Sequence, residues 1–346
     1  MREPSSPDGR FRAPRTARRE TEWPTVALLI GVHAAWALIL LHGAHLPQVL
    51  AMLALAPLLT LHSSLQHEVL HGHPFGNPRA DEAAVSLPLG LLIPYRRFRD
   101  QHLAHHHDPN LTDPYDDPET NYVDPAVWER MSPATRLILR ANNVLLGRMV
   151  VGPFVSLWLL YAGDARAIRR GDRAVADAYG RHALGAAPVL AAVVLSDLSL
   201  WTYLGACWLC LSILKIRTFL EHQAERMPRE RSVVIEDRGP LAFLFLNNNF
   251  HAVHHAHPRL AWYRLPAVYA ADRATVLRRN GGYRYASYRS VIRDHLLRAK
   301  DPVAHPFWTW GNRTTAREDA EALLAGMLPD PAPEPEARPA PGRVAM

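Results

Sequence analysis

Only two cysteines occur in the 346 residues, Cys207 and Cys210, and both lie within an apolar stretch. With no second pair, this C-x-x-C cannot complete a four-thiolate zinc or iron–sulfur site, and its surroundings favour packing over a redox role. The chain also lacks C-x-x-C-H, a glycine-rich phosphate loop and a dinucleotide fingerprint, so no haem, flavin or nucleotide motif is present. There is no solenoid repeat. The net charge of +6 comes without the interleaved basic and aromatic residues of a nucleic-acid platform, which excludes that partner class.

Charge is missing from particular places as well. Residues 26–41 ("VALLIGVHAAWALILL") carry none, and a second apolar run extends from 49 to 65 after the break "HGAHLP". Each is close to the length needed for a bilayer core of roughly 30 Å at about 1.5 Å per helical residue. The break has no A-x-A cleavage pattern, so a transmembrane hairpin (25–66) is preferred to a signal peptide. A second hairpin is predicted over 183–219, with Ser196, Asp197, Leu198 and Ser199 as its polar turn. The shorter run 149–161 reads as interfacial or shallowly re-entrant.

Six arginines in residues 1–20 and five in 165–181, against none in either hairpin turn, orient both hairpins with their ends in the cytoplasm. The predicted fold class is an all-α integral membrane protein of about four spans. A helical cytoplasmic cap would be formed by 67–182 and 220–315, within a membrane domain of 23–315. The basic tail 1–22 and the proline-rich tail 316–346 are expected to be disordered.

Eleven of the 19 histidines fall in three windows, 67–73, 102–107 and 251–257. The first contains His67-Glu68-x-x-His71, which alone would suit a zinc protease with Glu68 as general base. The second and third share H-x-x-H-H: His102, His105 and His106, then His251, His254 and His255. Helical offsets of three and four place each trio on one face. One zinc ion takes three or four ligands and would leave most of these idle, whereas eight or nine imidazoles suit two metal ions with about four each. Imidazole accepts iron, zinc or copper, so the ligands do not name the metal.

Metal-bound histidines donate their other ring nitrogen to a carboxylate or carbonyl. Glu68, Asp108, Asp113, Asp116, Asp117, Glu119 and Glu221 are candidates for that role, set against capping or solvation of a proline-punctuated loop. Asn248 and Asn249, with Asn247, precede the third window and are candidates to hold a metal-bound water or to cap its helix.

On these three boxes, and on "QHEVLHGHP", "LTDPYDDPET" and "NNNFHAVHHAHP", the chain resembles the membrane fatty-acid desaturase and hydroxylase superfamily. The likeness runs from about residue 50 to 263 and is nearest to the bacterial branch with dihydrorhizobitoxine desaturase-like proteins. It implies a non-haem di-iron centre of two Fe ions, held by His67, His71, His102, His105, His106, His251, His254 and His255. It also implies a ninth ligand at the end of the fourth helix, where His222 stands. His73, His107 and His257 fall outside the family spacing.

The implied reaction is oxygen-dependent desaturation or hydroxylation of an unactivated C–H position in a fatty acyl or lipid-like substrate. The site would lie at the cytoplasmic face of a bacterial inner membrane. Since the chain has no redox motif of its own, electrons would come from a ferredoxin or cytochrome b5-like donor and its reductase. The rival readings are an intramembrane zinc protease using "HEVLH" with Asp197 as third ligand, and a metal-binding membrane protein without redox activity.

Overall fold

The computed structural model describes residues 21–107, 110–196 and 198–308. Both expected disordered tails fall outside these residues except for Thr21 and Glu22, as do Asp108 and Asp197. Glu22 is not part of a loose tail: its amide donates to Pro74 O at 3.1 Å, and its carboxylate accepts from His73 Nδ1 at 2.8 Å.

The chain is mostly helical, and its only sheet among the described residues pairs Val234–Ile235 with Arg284–Tyr285 in parallel. Three helices are long and apolar enough to cross a membrane: Trp23–His42, Gln48–Leu70 and Arg173–Leu195. The first starts with proline in its opening turn, where the missing amide hydrogen costs nothing. The third starts ten residues earlier than the sequence predicts. Asp172 caps it by accepting from the amides of Ala174 and Val175, so the charged stretch "RAVADAYGRH" continues the apolar run as one helix.

A fourth long helix, Leu200–Thr218, follows in the chain. It is not among the three, because its last turn carries Lys215 and Arg217. It packs along Gln48–Leu70, burying Tyr203, Ala206, Cys207 and Cys210 against Leu55 and Leu59. A Cβ added at Gly205 would come within 2.7 Å of Met52 Sδ, so the Met52 side chain packs directly over this glycine. Tyr203 ties three segments together: its hydroxyl donates to Leu89 O (2.7 Å) and accepts from Trp36 Nε1 (2.9 Å). The outward faces are apolar and uncovered, with Ile30, Leu41, Leu184, Val194 and Leu195 each more than 60% exposed, as a lipid-facing surface requires.

The run 149–161 forms most of the helix Gly152–Arg169, which exposes Phe154, Trp158 and Tyr161 along its apolar half. Beyond the long helices lie short ones. Two of them, Tyr95–His107 and His251–Ala256, carry the second and third histidine windows.

Candidate metal centre

Helix Gln48–Leu70 runs past the predicted end of its span, so His67 lies on its last turn and His71 caps it. Both project onto the helices of the second and third boxes. The result is two groups of imidazoles, the nitrogens of each lying within 4.8 Å of one another: His67, His71, His102, His106 and His254 in one, and His105, His222, His251 and His255 in the other. All nine residues singled out as ligands are brought together, while His73, His107 and His257 stay outside both groups.

The division runs through each H-x-x-H-H trio. The three histidines of H-x-x-H-H do not share a destination. At about 100° per residue, positions i and i+4 diverge by only about 40°, and i+3 falls on the other side of i. So His102 and His106 enter the five-histidine group while His105 enters the other. In the third box His251 and His255 go to the four-histidine group and His254 crosses to the first.

Carboxylates and an amide fix the tautomers. His105 Nδ1–H donates to Asp117 Oδ1 at 2.7 Å, with both side chains 1% exposed. His102 Nδ1–H donates to Glu119 Oε1 at 2.8 Å. His251 Nδ1–H donates to Asn248 Oδ1 at 3.2 Å, and Asn248 in turn donates to Glu221, which pairs with Arg217 at 3.0 Å. With the proton on Nδ1, the Nε2 lone pair is left to point into the group.

Those lone pairs test whether the residues fit metal ions. His105 and His222 approach Nε2 to Nε2 at 2.9 Å, His222 and His251 at 3.0 Å, His251 and His255 at 3.1 Å, and His106 and His254 at 3.1 Å. Nitrogens bound at right angles to one metal at 2.0–2.1 Å would stand about 3 Å apart. Nε2 of His67, His71 and His102 is buried with no hydrogen-bond partner. An unmet buried polar atom costs about 1–3 kcal/mol, and nine converging lone pairs repel one another unless cations lie between them. The donor set therefore fits one metal ion per group.

Titration agrees with that role. Burial, reinforced by neighbouring imidazoles, holds His222, His251, His254 and His255 well below 6.5 and pushes His106 down to about 3. They are neutral at ordinary pH, the form in which an imidazole can bind a metal. His105 is the exception: burial opposes its charge, but Glu119 and Asp117 outweigh burial and raise it to about 9.

Other candidates have other occupations. Asp113 accepts from the amides of Tyr115 (2.8 Å) and Asp116 (3.2 Å) and from Trp308 Nε1 (2.9 Å), so it caps a turn instead of orienting a ligand. Glu68 accepts from the Trp262 amide at 2.8 Å and lies 3.8 Å from His73 Nε2, away from the box histidines. Asn249 donates to Ile235 O and Asp237 O, fastening the third box to the small sheet. Asp116 accepts from Asn110. Glu119 was legible as one of several acids near the second box but not as the partner of His102. Its place two residues beyond Asp117 is the only sequence signal for that role.

Apolar helices that end in two facing histidine groups define a membrane protein with a candidate dinuclear metal centre. The profile of the fatty acid desaturase family matches residues 43–287, and the chain belongs to that family. Against curated protein sequences it has no match. Membership makes it an oxidoreductase of the desaturase and hydroxylase kind, set in a membrane and directed at lipid or acyl substrates.

Proposed function

We propose that each histidine group holds one iron ion and that the pair serves oxygen-dependent desaturation or hydroxylation of an unactivated C–H bond in a fatty acyl or lipid-like chain. The observation that carries this reading is the gathering of nine Nε2 lone pairs into sets of five and four. When bound, such a pair of irons supplies reductive activation of dioxygen. The chain's own contribution is to aim the nitrogens, with Asp117, Glu119 and Asn248 fixing the tautomers, and to keep protons off by burial except at His105, where Asp117 and Glu119 favour the proton that a metal ion would displace. The zinc-protease alternative fares worse, because His67 and His71 are surrounded by three further imidazoles and Glu68 is engaged by the Trp262 amide.

The topology that goes with this reading has four spans, Leu200–Thr218 being the fourth, with Gly152–Arg169 lying at the interface. The histidines then face the cytoplasm of a bacterium, where a ferredoxin or cytochrome b5-like donor supplies electrons. The test is iron content in the detergent-purified protein, with His71→Ala and His251→Ala addressing one group each. The expected result is two irons per chain and one in each variant, with lipid products that have lost two hydrogens or gained one oxygen when a reduced donor is added. Zinc retained in place of iron, or iron unchanged in both variants, refutes the proposal.

A further inference from the structure

Not all of the uncovered apolar surface lies on the long helices. The helix Pro133–Ala141 buries none of its residues. At about 100° per residue Ala134, Leu137, Ile138 and Ala141 share one face, while Arg136 and Arg140 fall on the other side. That apolar face points outward, with Leu137 69% exposed.

The face is not isolated. A Cβ on Gly147 would lie 1.8 Å from Ala141 O, so the helix ends hard against the next one, Leu145–Val150, whose Leu146 and Val150 are exposed too. Leu146 N donates to Leu296 O at 2.9 Å, and Asn143 Nδ2 donates to Asp301 O at 2.5 Å. These bonds bring in Ile292, Leu296 and Leu297 at the end of the helix Tyr288–His295, with Leu297 75% exposed. Three residues further on, Lys300 Nζ donates to His222 O, so the same segment is fastened to the four-histidine group. In the other direction the surface runs on into Phe154 and Trp158. Lys215 fixes its level: it stands in the last turn of Leu200–Thr218, and its Nζ donates to Ser156 Oγ at 2.5 Å. On the four-span topology proposed above, on which this inference rests, that is the cytoplasmic end of the fourth span, where acyl chains give way to headgroups.

Charge indicates what covers the surface. Residues 131–163 contain no Asp or Glu, and Arg136, Arg140, Arg289, Arg293 and Arg298 accompany the exposed apolar side chains. Of these five, Arg293 alone has an ion-pair partner among the described residues, Asp294 at 2.7 Å. A second copy of the chain seated here would set arginine against arginine. A leaflet containing anionic lipid instead offers acyl chains to the leucines and phosphates to the arginines. We propose that Pro133–Val150 and the end of Tyr288–His295 lie in the cytoplasmic leaflet as an interfacial platform that selects anionic phospholipid headgroups.

The test uses the full chain in nanodiscs of phosphatidylcholine and phosphatidylglycerol, spin-labelled at Leu137→Cys or Leu297→Cys. Leu211→Cys, midway along the fourth long helix, is the lipid reference and Arg229→Cys the water reference. Cys207 and Cys210 are buried, so the wild type measures background labelling. The labels at 137 and 297 should collide with oxygen and be shielded from a water-soluble nickel chelate, as at 211. Accessibility to the chelate equal to that at 229 overturns the proposal. So does shielding from both reagents with spin coupling between chains, which would assign the face to a second copy. Native mass spectrometry reads the headgroup: wild type should retain phosphatidylglycerol over phosphatidylcholine, and Arg140→Gln/Arg289→Gln should lower that preference about tenfold or more. No preference in the wild type, or an equal loss in Arg229→Gln/Arg278→Gln, overturns the selection of anionic lipid. A label at 211 that meets the chelate would sink the four-span topology instead, and the labels at 137 and 297 would still decide the surface by themselves.

Discussion

Replacing Asp117 by Asn and Glu119 by Gln should weaken two different metal positions by different amounts. Each acid accepts Nδ1–H from one histidine, His105 at 2.7 Å and His102 at 2.8 Å, and those histidines belong to different groups. Losing such a partner lowers metal affinity by roughly 10–100-fold, which at about 1.4 kcal/mol per decade is about 1.4–2.7 kcal/mol. Asp117 is 1% exposed and its bond is shielded from water, so Asp117→Asn belongs at the upper end; Glu119 is 29% exposed and Glu119→Gln belongs at the lower. Asp117 also accepts from the amides of Thr112 and Glu119, so its replacement will loosen the loop as well. Asp113→Asn supplies the control, since Asp113 caps the same loop and touches no box histidine. Anaerobic competition between the protein and a chromophoric iron(II) chelator should show two equivalents. Asp117→Asn should weaken one, Glu119→Gln the other, and Asp113→Asn neither while lowering the melting temperature. If Asp113→Asn weakens metal binding as much as Asp117→Asn, or both acids act on the same equivalent, the assignment of tautomer-fixing partners is wrong.

Tyr203→Phe leaves Leu89 O and Trp36 Nε1 without their shared hydroxyl and should cost about 1 kcal/mol in detergent unfolding, with no change in metal content. Gly185→Ala would set a Cβ 2.3 Å from Ser86 O, a backbone atom that cannot swing aside, so a loss of about 1–3 kcal/mol is expected by the same assay. Hydrogen bonds from Arg273, Tyr269 and Arg284 outweigh burial and hold the Glu236 carboxyl at about 2, below the ordinary 4.5. Because that pKa is depressed in the folded state, its stabilisation is full above pH 4.5 and lost as pH falls to about 2. The melting-temperature gap between wild type and Glu236→Gln should shrink across that window; a constant gap would mean that Glu236 acts through packing alone.

Six of the nine histidines were legible because their spacing repeats: the same H-x-x-H-H at 102–106 and 251–255 is improbable without a shared task. The partition of the nine into five and four was not, since offsets of three and four look alike on a helical face until a second helix shows which side each ring serves. The choice among Asp113, Asp117 and Glu119 depended on a loop whose turns the sequence leaves open. The start of the third long helix was missed because hydropathy finds where an apolar run begins, whereas the Asp172 cap determines where the helix begins. His222 could not be derived from spacing at all. It lies beyond the helix Leu200–Thr218, in a bridge to Ser232, with Lys300 Nζ donating to its carbonyl from 78 residues away.

His105 and His106 are neighbours in the chain and serve opposite groups. The distance between the two metal positions is therefore governed in part by a single peptide unit inside a helix, one of the stiffest rulers a protein has. Sliding or tilting Tyr95–His107 would carry His102, His105 and His106 together, like beads on one rod, and leave their separations nearly unchanged. Lengthening the helix by one residue between His105 and His106 would instead swing His106 through about 100° away from His102, its companion in the five-histidine group, and split that group.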